Sequence, residues 1–147
     1  LVFQSGYFGL FMVSFFAATL VPLGSEVFVA FMAVSGYDPW VIFAVATTGN
    51  TLGSITNYYV GKLGATFLLS RYINVNFEKR QKAEKIYRKW GAPILSLAWL
   101  PVVGGPLTVV AGVFNLELWI FIFWVAIGKS LRYLVVIMTA EAVLKNI

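Results

Sequence analysis

Apolar positions group into four stretches, at residues 7–35, 40–69, 92–114 and 118–140. Each stretch is near or above the roughly 20 residues that a helix needs to cross the hydrocarbon core of a bilayer. The pattern predicts an all-α polytopic membrane protein, with four as the upper limit on the number of crossings.

Proline and glycine interrupt the first and third stretches near their middles. Proline removes a backbone donor and clashes with the preceding turn, so a continuous helix is disfavoured at both places. Irregular backbone at membrane depth is tolerated only where it is buried in protein or lines a wet cavity. Two re-entrant hairpins therefore fit better than two kinked crossings. The residues that make the breaks are Pro22, Gly24, Pro101, Gly104, Gly105 and Pro106.

An internal repeat appears when the chain is aligned with itself at an offset of 79 residues. The offset pairs a break, an interfacial aromatic and a mid-helix glycine in each half: Pro22 with Pro101, Trp40 with Trp119, and Gly49 with Gly128. If each hairpin returns to its side of entry, the crossing between them makes the repeat inverted, and the hairpin tips approach the midplane. We expect one domain over 1–147: repeat one at about 7–69, a basic segment at 71–90, and repeat two at about 92–144.

The segment between the repeats is basic. Residues 71–89 hold seven of the eleven Lys and Arg residues, which predicts a cytoplasmic location. Phe77, Ile86, Tyr87 and Trp90 give the segment an apolar side, so an interfacial amphipathic helix is favoured over a solvated linker.

Composition narrows the class of protein further. The chain is 60% hydrophobic and 12% charged, roughly half the charge content of an ordinary soluble domain. This excludes soluble enzymes and nucleic-acid-binding proteins, despite the net charge of +5. With no cysteine and no histidine, disulfides, His-ligated metals and Ser-His triads are also excluded. We expect no enzyme, no cofactor and no metal.

Glu26 lies four residues after Pro22 inside an apolar run. A carboxylate within a membrane segment is costly and by default marks function or an ion pair. The alternative is a structural carboxylate at the positive end of the helix that follows the break.

Cations follow in the second half. Lys129, Arg132 and Tyr133 share one helical face, which should point inward, toward Glu26 or toward anionic head groups. The alternative is that Lys129 and Arg132 snorkel to an interface.

The second stretch combines small and polar residues. Glycines there and in the last stretch predict close helix packing: Gly49, Gly53, Gly61, Gly64 and Gly128. Asn50, Ser54 and Asn57 add a polar seam, which either bonds backbone left open by the breaks or lines a hydrophilic path. The sequence leaves both readings open.

Four motifs carry a family resemblance: ATLVPLGSEVF with Glu26, GNTLGSITNYYVGKLG from Gly49, LAWLPVVGGPLTVVAG from Leu97, and GKSLRY from Gly128. On these the chain resembles the DedA superfamily (VTT or SNARE-associated domain), and within it the short YqaA-type bacterial members, from about residue 15 to 140. The resemblance implies two oppositely entering re-entrant hairpins and a bacterial inner-membrane protein. Members include bacterial proteins implicated in moving undecaprenyl phosphate or phospholipid, and eukaryotic lipid scramblases.

Two departures from the family pattern concern the second hairpin. Proton-coupled members carry arginines at the positions of Ala98 and Gly104, so phosphate capture by those arginines does not carry over. Gly105 stands where YqaA-type relatives often have an acid, and it is the repeat equivalent of Glu26.

The function expected from these features is movement or exposure of a lipid head group, through a polar groove between the hairpins. The alternative is a structural or assembly protein that shapes the bilayer or stabilises a partner complex. Expected partners are membrane lipids, anionic phospholipid or lipid phosphate, and no nucleic acid. A homo-oligomer is left open.

Overall fold

The structure, a computed structural model, describes residues 2–19, 24–71, 77–100 and 103–147. These residues form helices, and no strand occurs among them, which confirms the predicted all-α fold and is consistent with a membrane protein. Pro22 and Pro101 lie outside the described ranges. In chain order the helices are α1 Val2–Thr19, α2 Ser25–Val34, α3 Pro39–Arg71, α4 Phe77–Ile94, a 3-10 helix Leu95–Trp99, α5 Gly104–Val113 and α6 Leu118–Lys145.

The first and third apolar stretches are each divided into two arms. Gly24 precedes α2 with a φ of 130°, a conformation open to glycine and costly for residues with a Cβ. In the third stretch the 3-10 helix ends at Trp99, and the next residue, Leu100, has an extended backbone (φ −67°, ψ 133°) before α5 begins at Gly104. Helix termini leave backbone groups without intrahelical partners, so each break leaves such groups at the ends of the two arms that it separates.

The two arms of the first stretch start and finish at the same end of the bundle. The rings of Tyr7 on α1 and Tyr37 after α2 meet edge to face at 5.3 Å, and the Asp38 backbone N–H donates to the Tyr7 hydroxyl at 3.2 Å. The arms therefore form a helical hairpin. Placement of this hairpin within a bilayer stays a prediction.

From Phe77 onward the basic segment forms the helix α4, which continues past the expected end at residue 90 as far as Ile94. Tyr87 anchors it by stacking on Phe114 at 4.9 Å, and Arg88 donates to the Asn115 backbone oxygen at 3.3 Å. Ile86 and Trp90 are 64% and 63% exposed. Burial raises the pKa of Tyr87 to about 12.

Elements of the two halves begin 79 residues apart. The ten-residue helices α2 and α5 start at Ser25 and Gly104, and the long helices α3 and α6 start at Pro39 and Leu118. The turns after α2 and α5 also correspond, because positive φ angles occur at Gly36 (85°) and Asn115 (53°).

The long helices α3 and α6 run antiparallel. Asn50 on α3 contacts Tyr133 on α6, whereas Tyr58, two turns further along α3, contacts Phe121, three turns earlier on α6. α5 packs on α3, and α2 packs on α6. Each long helix therefore carries the second arm of the other half's hairpin.

Glycines allow the helix backbones to approach closely. A Cβ on Gly49 or Gly53 would meet the backbone oxygens of Phe11 and Phe15, so α1 packs directly along α3 in the same direction. A Cβ on Gly61 would meet the Val109 oxygen of α5.

Gly128 of α6 also lies at a close contact between helices, whereas Gly64 of α3 does not. A Cβ on Gly128 would come within 2.7 Å of the Ser96 oxygen of the 3-10 helix. Gly64 differs from the packing role expected of it, because no described atom lies within 4 Å of the position of its Cβ.

Two apolar clusters lie at opposite ends of the bundle. One contains Ile42 and Ala46 of α3 with Ile137 and Ala140 of α6. The other contains Tyr58 of α3 with Phe121 and Val125 of α6. Along both long helices the residues between these clusters include buried polar side chains. Among the described helices, α6 is long and apolar enough to cross a bilayer, and α2 and α5 are shorter apolar helices.

Candidate functional site

A layer of polar side chains crosses the bundle between the two apolar clusters. Both hairpins and both long helices contribute to it. We call it the polar layer, and its members are Ser25, Glu26, Asn50, Ser54, Asn57, Thr108, Lys129, Arg132 and Tyr133.

Glu26 and Arg132 form an ion pair at the edge of the polar layer. Their side chains are 25% and 11% exposed, respectively. Glu26 lies in the first turn of α2, where the positive end of the helix dipole favours a carboxylate. The N-cap of α2 is Gly24, and no side chain there bonds the first turn. The pair joins the first hairpin to the last helix.

A chain of hydrogen bonds leads from Glu26 into the bundle. The Asn50 amide donates to the Tyr133 hydroxyl at 2.9 Å, and that hydroxyl donates to Ser25 Oγ at 3.1 Å. Ser25 Oγ in turn donates to Glu26 Oε1 at 3.3 Å. Every donor in this chain points toward the carboxylate, so three helices stabilise its negative charge.

Asn57 connects the two hairpins. Its amide nitrogen donates to the Ala18 backbone oxygen at 2.7 Å and to Thr108 Oγ1 at 3.2 Å. Ala18 lies in the last turn of α1, where carbonyls lack intrahelical donors. Asn57 therefore bonds backbone left open by the break. Ser54 has a local role, since its hydroxyl donates to the Asn50 backbone oxygen at 3.0 Å.

Lys129 is 4% exposed and lies one helical turn before Tyr133 on the same face of α6. The helices α3 and α6 run antiparallel and are joined at Asn50 and Tyr133. Lys129, one turn before Tyr133, therefore lies at the level of Ser54, one turn after Asn50. Glu26 is paired with Arg132, and no ion pair in the described part of the chain includes Lys129.

Buried oxygen atoms near the layer keep free hydrogen-bonding capacity. Asn50 Oδ1, Thr47 Oγ1, Thr51 Oγ1 and Ser14 Oγ are buried without a hydrogen-bond partner. Such atoms are costly in an apolar interior unless water or a ligand bonds to them. The described residues contain no group of three or more potential metal ligands.

Ser25 and Thr108 were not singled out from the sequence, although both are fully buried polar residues of the layer. The available signal was their position, because each lies within four residues after a hairpin break. Small hydroxyl residues are common in apolar helices, so that signal was weak.

The fold and the site define a class: a helical membrane protein whose broken helices surround a polar interior. Comparison with known proteins agrees. The VTT domain model matches residues 21–141. Inner membrane protein YqaA of Escherichia coli (strain K12) is 39% identical over 130 residues, covering 88% of this chain and 87% of that protein.

Two further relatives extend the similarity. An uncharacterised protein of Haemophilus influenzae is 32% identical over 132 residues, covering 84% of this chain and 80% of its own length. One of Methanocaldococcus jannaschii is 24% identical over 139 residues, covering 94% and 86%. No solved structure matches the chain. The chain belongs to the VTT-domain (DedA) family of membrane proteins, which confirms the resemblance.

Proposed function

We propose that this protein moves lipid head groups across the bacterial inner membrane through the polar layer, without covalent chemistry. The observation that carries the proposal is the ion pair of Glu26 and Arg132, which lies at the edge of a buried polar layer between two apolar clusters. A bilayer opposes passage of a head group because its hydrocarbon core offers no hydrogen-bonding partners. The polar layer supplies such partners at the depth where they are otherwise missing.

The proposal includes an inverted repeat of two re-entrant hairpins. The starts of α2 and α5, and of α3 and α6, are 79 residues apart, and the long helices run antiparallel. At 1.5 Å per residue, α2 and α5 are each about 15 Å long, half of the hydrocarbon thickness of about 30 Å. In this arrangement both hairpin tips end near the midplane.

The charge of the layer favours an anionic head group. Glu26 and Arg132 offset one another, and Lys129 adds a second cation, so one acid and two bases give a formal charge of +1. Charges at membrane depth are stable when paired. A lipid phosphate would supply the charge that Gly105, the repeat equivalent of Glu26, does not provide.

The segment of residues 71–89 is placed on the cytoplasmic side in this proposal. Lys82, Lys85 and Lys89 on α4 are exposed, and cytoplasmic loops carry an excess of Lys and Arg. The inner-membrane location follows from similarity to the E. coli relative, which is an inner membrane protein.

A structural or assembly role is the second candidate. Asn57 favours this role, because its amide nitrogen donates hydrogen bonds to the backbone of the first hairpin and to Thr108 of the second. In that case the polar layer holds the hairpins together and carries no lipid.

Reconstitution separates the two candidates. Purified full-length protein is placed in liposomes that contain fluorescent phosphatidylglycerol or phosphatidylethanolamine, and loss of signal to a membrane-impermeant quencher is followed. Without lipid movement, fluorescent lipid in the inner leaflet is protected from the quencher. The proposal predicts that this protected fraction is lost, and that it is lost faster for phosphatidylglycerol than for phosphatidylethanolamine. Protection equal to that of liposomes carrying an unrelated helical membrane protein would support the structural role.

A further inference from the structure

Beside the ion pair, α2 and α6 leave an open groove of about 500 Å³. Its lining is apolar except at two places, the Glu26 carboxylate and the Thr139 hydroxyl, which donates to the Val135 backbone oxygen at 2.7 Å. The remaining lining residues are Val27, Ala30, Val34, Val135, Val136, Ala140 and Val143.

We propose that this groove holds one acyl chain of a membrane lipid whose head group lies at Glu26 and Arg132. The proposal rests on the proposed function and adds to it a binding site for the lipid tail. The proposal is based on one continuous surface that has an apolar groove and, at one end, the charged pair of Glu26 and Arg132. A lipid likewise has an apolar tail and a polar head group.

The groove has the dimensions of a single chain within one leaflet. From Glu26 to Val34 it follows eight residues of α2, or about 12 Å at 1.5 Å per residue. Half of the hydrocarbon core is about 15 Å. It runs from the hairpin tip toward the end of the bundle where Tyr7 and Tyr37 meet.

The walls are accessible from outside the bundle. Val27, Val135 and Val143 are 74%, 62% and 53% exposed, although they line a concave surface. In a bilayer this surface faces acyl chains, so the occupant can enter sideways while its tail stays in the hydrocarbon. The head group then lies at Glu26 and Arg132 while the tail lies in the groove.

The test maps where a lipid tail contacts the full-length protein. Proteoliposomes are prepared with phosphatidylglycerol bearing a diazirine in the middle of one acyl chain, then irradiated, and adducts are located by mass spectrometry. The readout is the adduct yield on residues 26–34 and 135–143, divided by the yield on the exposed α3 residues Val60 and Leu63.

Ala30→Trp fills the groove, and Ala44→Trp places the same side chain on an exposed position of α3. We expect wild-type protein and Ala44→Trp to show a high ratio, and Ala30→Trp to lower it several-fold. Val27→Trp provides a second filling variant at a 74% exposed position, should Ala30→Trp fail to fold.

The outcomes are separable from those for the proposed function. Equal ratios in wild-type protein and both filling variants would overturn the groove site, even if wild-type protein moves lipid. A ratio that falls in the filling variants, with no lipid movement by wild-type protein, would keep the site and remove the transport function. If Ala30→Cys joins to a second copy of the chain through a bifunctional thiol reagent and no lipid adduct forms, the occupant is another protomer and the proposal is wrong.

Discussion

The side-chain amide of Asn50 on α3 and the hydroxyl of Tyr133 on α6 are joined by a 2.9 Å hydrogen bond across 83 positions of sequence. Both side chains are almost completely buried, with Asn50 2% and Tyr133 0% exposed. The bond links the two long helices at the centre of the polar layer. It also begins the chain of donors that ends at Glu26.

Tyr133→Phe should destabilise the protein by about 1–3 kcal/mol, because the Asn50 amide would be left buried without an acceptor. The ring and its packing are retained. Thermal unfolding in detergent measures the loss. Thr139→Val is the matched control, since the Thr139 hydroxyl is exposed and bonds only within α6, and it should leave the melting temperature nearly unchanged. Equal stability of Tyr133→Phe and wild-type protein would contradict the role of this bond.

Two glycines one helical turn apart on α3 should respond differently to alanine. Gly61→Ala places a methyl group against the Val109 oxygen of α5, and such overpacking costs about 1–3 kcal/mol. Gly64→Ala meets no described atom within 4 Å and should be neutral or stabilising by up to about 1 kcal/mol through helix propensity. The folded fraction recovered in detergent compares them. Similar losses in both variants would contradict the packing of α5 on α3.

The hydroxyl and the ring of Tyr87 should have opposite effects on stability. Tyr87→Phe removes a buried hydroxyl without a hydrogen-bond partner and should be neutral or slightly stabilising. Tyr87→Ala loses the stack on Phe114, worth about 0.5–1.5 kcal/mol beyond the buried area. Ile86→Ala, at a 64% exposed position, is the control. Melting temperatures should rank Tyr87→Ala lowest, and any other order argues against this anchor.

The same tyrosine predicts a pH dependence. Burial raises the pKa of Tyr87 to about 12, and unfolding returns it to about 10. The folded state therefore retains the proton more strongly, so ionisation of Tyr87 leaves the stability unchanged below about pH 10 and lowers it as the pH rises to about 12. Unfolding titrations should show a smaller loss over this window in Tyr87→Phe than in wild-type protein. Parallel curves would contradict the burial of this hydroxyl.

Much of the helical layout was predictable from the sequence, because proline and glycine interrupt the apolar stretches at the places where the helices separate. Gly24 has the positive φ that a break requires. The 79-residue offset, found from Trp40 and Trp119, also relates the starts of α3 and α6. These features depend on local backbone preferences and on periodicity, which a single sequence displays.

The partners within the polar layer were less predictable. The face of Lys129, Arg132 and Tyr133 was expected to point toward Glu26 or toward anionic head groups, and the structure pairs Arg132 with Glu26. The bonds of Asn57 to Ala18 and Thr108 depend on how both hairpins dock on α3. That docking is a property of tertiary packing. Helical spacing places Asn57 on one face of α3 with Asn50 and Ser54, but it does not show which residues of the other helices contact that face.

Cysteine labelling in intact cells tests the orientation of the chain without background, since it contains no cysteine. Lys82→Cys on α4 should react with a membrane-impermeant maleimide only after the cells are opened, because the basic segment is placed in the cytoplasm. Ser35→Cys, at the exposed turn after α2, should react in intact cells. Labelling of Lys82→Cys from outside would reverse the orientation, and labelling of both variants from outside would contradict the inverted repeat.

Lipid movement by a variant without the ion pair tests the central claim most directly. Removing one partner, as in Glu26→Gln, leaves Arg132 mostly buried and unpaired. This should lower the free energy of unfolding by about 3 kcal/mol. The value is at the lower end for a buried pair because a quarter of the Glu26 side chain is exposed. The double variant Glu26→Gln with Arg132→Gln removes both charges and should recover the folded fraction. We therefore measure lipid movement by the folded double variant in liposomes beside wild-type protein. The account predicts that wild-type protein moves phosphatidylglycerol and the folded double variant does not; movement at the wild-type rate by the double variant would contradict it.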